Sequence, residues 1–274
     1  NEAIILVCAN NFHGRTSTVI SFSSDPSAYN NYGPFMPGFI TIPYNDLASL
    51  SEALRNKNVC AFLVEPIQGE AGVVVPEDGY LAKARQYCTD ANVLFIADEI
   101  QTGLGRTGKM LACDHENVRP DILLLGKALS GGTMPVSAVL ADDEIMLTIK
   151  AGEHGSTYGG NPLACRVAIT SLAVLKDEQL SQNAHHMGEL LRTKLQELKS
   201  PHISIIRGKG LLNGIVINHT DKDAAWKLCI EMKKNGLLAK PTHGDKIRFA
   251  PPLVINESQI FECINIIKDS LLIL

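Results

Sequence analysis

The feature that most constrains this chain is a succession of short, compact apolar runs, several of them bounded by Gly, Pro or Asp. Ala3–Cys8, Phe39–Ile42, Ala61–Val64, Val93–Ala97, Ile122–Leu125 and Val136–Leu140 are too short for ordinary helices and too continuously apolar for half-exposed strands. Such runs fit strands buried on both faces. Between two of them Leu81, Ala84, Cys88 and Ala91 recur at helical spacing, which predicts an amphipathic crossover helix. Repeated βαβ units of this kind predict an α/β fold: a mainly parallel sheet with helices on its faces.

The pattern changes along the chain. From about Asn161 a helical stretch through Leu163, Val167, Ala168, Leu172 and Leu175 leads to a second one through Leu190, Leu191 and Leu195. Beyond Pro201 come strand-like Ile203–Ile206 and Leu211–Ile217, a helix around Trp226, Leu228, Cys229 and Met232, and a strand-like Lys246–Phe249 before Pro251 and Pro252. Asn256 with Gln259 three residues on has the form of a capping box, followed by Ile260, Ile264, Ile267 and Leu271 on one helical face. The expected division is a large domain over residues 1–170 and a smaller α+β domain over 171–274. The chain opens at Asn1 directly in a strand-like run, without a signal-peptide pattern, and reads as entering in the middle of a domain.

Charge excludes several roles. The 25 Lys and Arg against 29 Asp and Glu give a net charge of −4 without long like-charged runs, which argues against nucleic acid or an anionic membrane as partner. No apolar stretch approaches the roughly 20 residues that cross a bilayer. The 7 cysteines are odd in number and widely spread, without a Cys-x-x-Cys pair. Reduced thiols fit them better than disulfides or a zinc site, and no metal site is expected.

Two apolar strands deliver chemistry to their carboxyl ends, the edge where open α/β sheets gather ligands. Ile122–Leu125 is followed by Gly126 and Lys127, with Gly131 and Gly132 beyond. A Lys there can lose its proton by desolvation and form a Schiff base with a carbonyl; it can equally be a surface Lys in a Gly-rich turn. Val93–Ala97 ends on Asp98, followed by Gln101; alone, Asp98 is as well read as a turn former. The pair says more than either member. A Lys that holds an aldehyde and an Asp that keeps a pyridinium nitrogen protonated are what a pyridoxal 5′-phosphate (PLP) site needs.

Other segments are less specific. Gly103, Gly105 and Gly108 spell Gly-x-Gly-x-x-Gly, but five residues separate them from the strand and no helix-length segment follows before Pro120, which argues against a dinucleotide. The loop from His154 to Asn161 is rich in hydroxyls and free backbone N–H groups, so Thr157 could reach a phosphate or the loop could simply cap the next helix. Glu70 follows another buried strand and is expected at the same sheet edge as Asp98 and Lys127. Arg15 follows the first strand, and Arg248 lies in the second domain. Two arginines and a carboxylate suit an amino-acid substrate, although most arginines are structural.

Taken together and in this order, the segments Gly33–Phe39, Val64–Pro76, Ala97–Gly103, Leu124–Gly132, Gly152–Leu163 and Lys246–Leu253 resemble the class III, fold-type I aminotransferases, and most of all those that act on ornithine. The resemblance runs over essentially the whole chain. It implies a seven-stranded-type large-domain sheet, incomplete at its start because about a third of a typical member precedes the matching region. It implies transfer of the δ-amino group of L-ornithine to 2-oxoglutarate through PLP, giving glutamate 5-semialdehyde and glutamate. By the same resemblance Lys127 and Asp98 would be catalytic, with Phe12 stacked on the ring and Gln101 beside its hydroxyl. Thr157 would reach the phosphate of a partner subunit in a homodimer or higher assembly. Arg15 would bind the substrate's distal carboxylate, while Glu70 paired to Arg248 would steer ornithine in by its δ-amine. His13 stands where relatives often carry a larger aromatic. A mitochondrial matrix location follows from the animal members, otherwise a cytoplasmic one. Two other readings stay open: an acetylornithine or 4-aminobutyrate ω-aminotransferase, and an inert fragment that only dimerises.

Overall fold

A computed structural model describes residues 2–274; Asn1, at which the sequence opens, lies outside the described residues. The chain divides into two compact units. One holds the chain up to Pro66, Pro76–Leu104 and Ala112–Val174; the other holds Ile67–Val75, Gly105–Leu111 and Leu175–Leu274.

In the first unit the elements run β1 (Ile4–Cys8), α1 (Ser17–Ile20), α2 (Pro26–Tyr29), β2 (Phe39–Ile42), α3 (Leu47–Ala53), β3 (Val59–Val64), α4 (Tyr80–Asp90), β4 (Leu94–Asp98), β5 (Ile122–Leu125), β6 (Ala138–Ala141) and α5 (Asp143–Met146). The strands form one 6-stranded sheet in the order β2-β1-β3-β4-β5-β6. The pairs from β2 to β5 are parallel and β6 joins β5 antiparallel. After β1 the chain goes to β2 on one side and then returns to β3 on the other. The order therefore reverses at β1, and a crevice opens at the carboxyl ends beside such a point. The core is what the apolar runs predict: Leu6, Phe62, Val64, Phe95 and Ala97 from the strands meet Leu81, Ala84 and Cys88 from α4. Phe62 and Phe95 stack edge-on across β3 and β4.

The boundary falls inside α6 (Pro162–Asp177). The second unit continues with α7 (Leu180–Glu197), β7 (Ile203–Lys209), β8 (Leu212–Ile217), α8 (Ala224–Lys234), β9 (Lys240–Thr242), β10 (Lys246–Phe249) and α9 (Glu257–Ser270). Its strands form a 4-stranded antiparallel sheet, β7-β8-β10-β9. Helices α7, α8 and α9 bury Leu191, Leu195, Leu228, Met232, Ile260, Ile264 and Ile267 with Ile215, Ile217 and Ile247 of the sheet. The Asn256 capping box is present in full, the Asn side chain accepting from Gln259 N and the Gln side chain from Asn256 N.

The two early segments of the second unit have their own anchors there. Gln68 and Val74 form a small antiparallel bridge, and Arg207 donates to Gly72 O at 2.8 Å and 3.0 Å. The Gly-x-Gly-x-x-Gly stretch is structural. Gly105 and Gly108 have φ of +89° and +91°, and a Cβ on Gly108 would lie 3.1 Å from His185 of α7. Between them Arg106 donates to Leu211 O and Pro251 O. Burial, then the charge of Arg248, lowers its pKa to about 10.

All 7 cysteines are free. Cys8, Cys88, Cys113 and Cys229 are buried, and burial holds the thiols of Cys8, Cys88 and Cys229 up at about 12. Cys60 and Cys165 are exposed, because strand and helix periodicity turn them away from the core their neighbours fill.

Candidate functional site

Asp98 is the last residue of β4 and is 5 % exposed. A carboxylate buried so deeply must be met by donors. Its Oδ1 accepts from Ile100 N at 3.0 Å, and its Oδ2 lies 2.7 Å from His13 Nδ1. His13 comes from the loop after β1, where its side chain is 3 % exposed. The neighbouring Phe12 N–H donates to Glu65 Oε1 at 2.8 Å, and Glu65 is the residue that follows β3. The loop after β1 thus reaches both of the buried carboxylates that β3 and β4 carry to their carboxyl ends.

Lys127 follows β5, which pairs with β4 so that Leu124 stands opposite Asp98. Gly126 brings the chain round closely: a Cβ there would lie 3.4 Å from Ile100. Lys127 itself has φ of +41°, the left-handed region that a side chain occupies at a cost, and it is exposed at the start of a single 3₁₀ turn, Lys127–Ser130. Arg15 is exposed, its guanidinium carbon 5.5 Å from the centre of the half-buried Phe12 ring. Gln101 is half-buried in the turns after Asp98, and Thr157 is exposed in the loop before α6.

Glu70 lies in Ile67–Val75, a segment that belongs to the second unit. The carboxylate that directly follows β3 is Glu65. Within the second unit Glu70 sits between two cations on adjacent strands: Arg248 Nη1 at 2.5 Å from Oε1, and Lys240 Nζ at 2.7 Å from Oε2. Arg248 and Lys240 stand opposite each other in the β9–β10 register, which aligns both charges on one carboxylate. Lys240 joins the Glu70–Arg248 pair through a strand pairing that leaves no mark in the sequence.

Sequence reasoning also passed over Glu99, which is 1 % exposed. It accepts from Ala112 N, Cys113 N and Thr102 Oγ1, and so closes the loop between β4 and β5. Burial raises its pKa against the pull of those hydrogen bonds.

Known proteins share this sequence family and fold. The model of the aminotransferase class-III family matches residues 1–271. The mitochondrial ornithine aminotransferase of Drosophila melanogaster is 63% identical over 272 residues, covering 99% of this chain and 63% of the relative. That of Rattus norvegicus is 63% identical over 271 residues, covering 99% and 62%. The chain therefore spans less than two thirds of the length of these relatives. Among solved structures, the ornithine aminotransferase of Toxoplasma gondii, seen with partial occupancy of PLP at its active site, superposes with a TM-score of 0.97 at 49% identity, covering 100% of this chain and 65% of that one. The acetylornithine aminotransferase of Elizabethkingia anophelis superposes with a TM-score of 0.87 at 53% identity, covering 100% and 66%. By a family match that spans nearly its whole length, the chain belongs to the class III aminotransferases.

Proposed function

We propose that this chain carries the catalytic residues of a PLP-dependent ornithine δ-aminotransferase, which moves the δ-amino group of L-ornithine to 2-oxoglutarate and yields glutamate 5-semialdehyde and glutamate. The observation that carries the reading is the pairing of a buried, hydrogen-bonded Asp98 at the end of β4 with an exposed Lys127 at the end of the adjacent β5.

These residues fit PLP. Asp98 offers a carboxylate for the ring nitrogen, Lys127 a primary amine for the aldehyde, Phe12 an aromatic face and Gln101 an amide. When bound, PLP supplies an aldehyde that exchanges amines and a protonated ring that draws electrons from the reacting carbon. Lys127 would hold the group through Nζ and, once released, carry a proton to and from the substrate's reacting carbon. Asp98 would hold the ring nitrogen's proton in place. Arg15 would take the substrate's distal carboxylate. Glu70 would neutralise Arg248 while ornithine enters by its δ-amine, then yield Arg248 to the α-carboxylate of glutamate. Thr157, exposed in its loop, would meet the phosphate held by a partner subunit, making the working assembly a homodimer or larger. The animal relatives are named mitochondrial, which supports a matrix location.

The test is the absorbance of the purified chain with and without PLP, followed by borohydride reduction and peptide mapping. The reading expects a new visible band fixed by reduction at Lys127, lost in Lys127→Ala, and bleached faster by ornithine than by acetylornithine or 4-aminobutyrate. A label elsewhere, or a preference for either competitor, overturns it.

A further inference from the structure

The His13–Asp98 contact has more in it than a hydrogen bond. His13 Nδ1 lies 2.7 Å from Asp98 Oδ2, while His13 Nε2 is buried without a hydrogen-bond partner. The imidazole also has a packing partner, tilted 57° against it. Its ring packs on Phe22, centroids 5.9 Å apart, and Phe22 in turn packs on Phe39 of β2 at 4.5 Å.

The possible protonation states are unequal. If Asp98 were protonated and donated to Nδ1, the neutral imidazole would carry its proton on Nε2, where it would be buried with nothing to accept it. If the imidazole were doubly protonated, the same orphan N–H would arise. Only the Nδ1–H tautomer, donating to an ionised Asp98, places every proton on a partner and leaves a bare lone pair at Nε2. With Ile100 N–H on Oδ1, the carboxylate then accepts one hydrogen bond on each oxygen.

We propose that His13 is the positioning residue that fixes Asp98 as an ionised, rotationally locked acceptor for the cationic ring nitrogen of PLP. This rests on the functional reading above. Asn at position 13 can put an amide N–H where Nδ1–H stands, whereas Phe keeps the ring packing and removes the donor.

Two measurements test it. In the cofactor-free chain, ¹⁵N spectra of labelled histidines should show one neutral ring protonated at Nδ1 that disappears in His13→Phe. Titration with PLP, followed by fluorescence quenching, should then give binding about tenfold weaker or worse in His13→Phe and retained in His13→Asn, with matched far-UV circular dichroism. The visible band of bound PLP should shift in His13→Phe and return in His13→Asn. An Nε2–H tautomer, or equal PLP binding by the two variants and wild type, overturns the proposal while leaving PLP binding intact. A wild-type chain with the Nδ1–H tautomer that takes up no PLP sinks the functional reading, and the role of His13 toward PLP with it.

Discussion

Removing the Glu70 carboxylate should redirect substrate choice, and the size of the effect follows from its two partners. Its pair with Arg248 is 2.5 Å long between side chains 19% and 13% exposed. A charge-assisted hydrogen bond so shielded from water is worth about 1.5–3 kcal/mol. The pair with Lys240 is 2.7 Å long, but the Lys side chain is 57% exposed. Its worth is about 0–1 kcal/mol. A substrate carboxylate that seeks Arg248 must displace Glu70 and so binds more weakly by roughly the first amount. Glu70→Ala removes the competitor from Arg248 and Lys240. Glutamate should then react more efficiently in its half-reaction, by about 10- to 150-fold in kcat/KM. Ornithine loses the neutral environment that admits its δ-amine, so the preference moves toward glutamate and toward transfer from an α-amine. Stopped-flow absorbance of the PLP-loaded chain with each amino acid gives the ratio directly. Lys240→Met should move it by no more than about fivefold, in line with an exposed pair. An unchanged ornithine-to-glutamate ratio in Glu70→Ala would refute the idea that Glu70 holds Arg248 in reserve.

Three further outcomes are expected. In Gly188→Ala the new Cβ would lie 1.7 Å from Gly210 O and 2.2 Å from its carbonyl carbon. The gain of about 1 kcal/mol in helix propensity is therefore overrun by the forced separation of α7 from that turn, and urea unfolding should show a net loss of about 2 kcal/mol; Gly155→Ala, with nothing within 4 Å, should be near neutral. Asn256→Ala removes the oxygen that accepts from Gln259 N at 3.0 Å, and should cost about 1 kcal/mol in the same assay. Glu99 has its pKa raised above 4.5 by burial, so the native state holds its proton longer than the unfolded chain does. Its contribution to stability must fall as pH rises from 4.5 through the raised value, and thermal melts against pH should show this decline in wild type but not in Glu99→Gln.

Much of the framework is legible in sequence because buried strands and capped helices are local. Phe39–Ile42, Ile122–Leu125 and Lys246–Phe249 are strands with the limits their apolar runs suggest, and Asn256 caps α9 as its spacing with Gln259 requires. Strand β9 escapes notice because Lys240, Pro241 and Thr242 carry no apolar pattern; it exists through its pairing with β10. The placement of Ile67–Val75 and Gly105–Leu111 in the second unit is equally hidden. Arg207 and Arg106, the residues that anchor them there, donate to backbone carbonyls, and carbonyls leave no mark on a sequence.

The same limit explains why Glu65 and His13 were harder to read than Lys127 and Asp98. A strand that ends in a reactive side chain announces it within a few residues, whereas the state of that side chain is set by whatever arrives from elsewhere. Here the arrival is governed by strand order. Because the sheet runs β1-β3-β4, the loop that leaves β1 passes the ends of the next two strands, each of which delivers a buried carboxylate. Phe12 meets Glu65 with a backbone N–H that any residue could supply, so nothing at position 12 advertises the contact. His13 meets Asp98 with a side chain, and there the residue type matters. Each of these two carboxylates is buried and so must be met by donors. One short loop with successive donors keeps them apart in role, Glu65 bound to the backbone and Asp98 tied to an imidazole, and the chemistry at the end of β4 depends on that loop as much as on the strand that carries it.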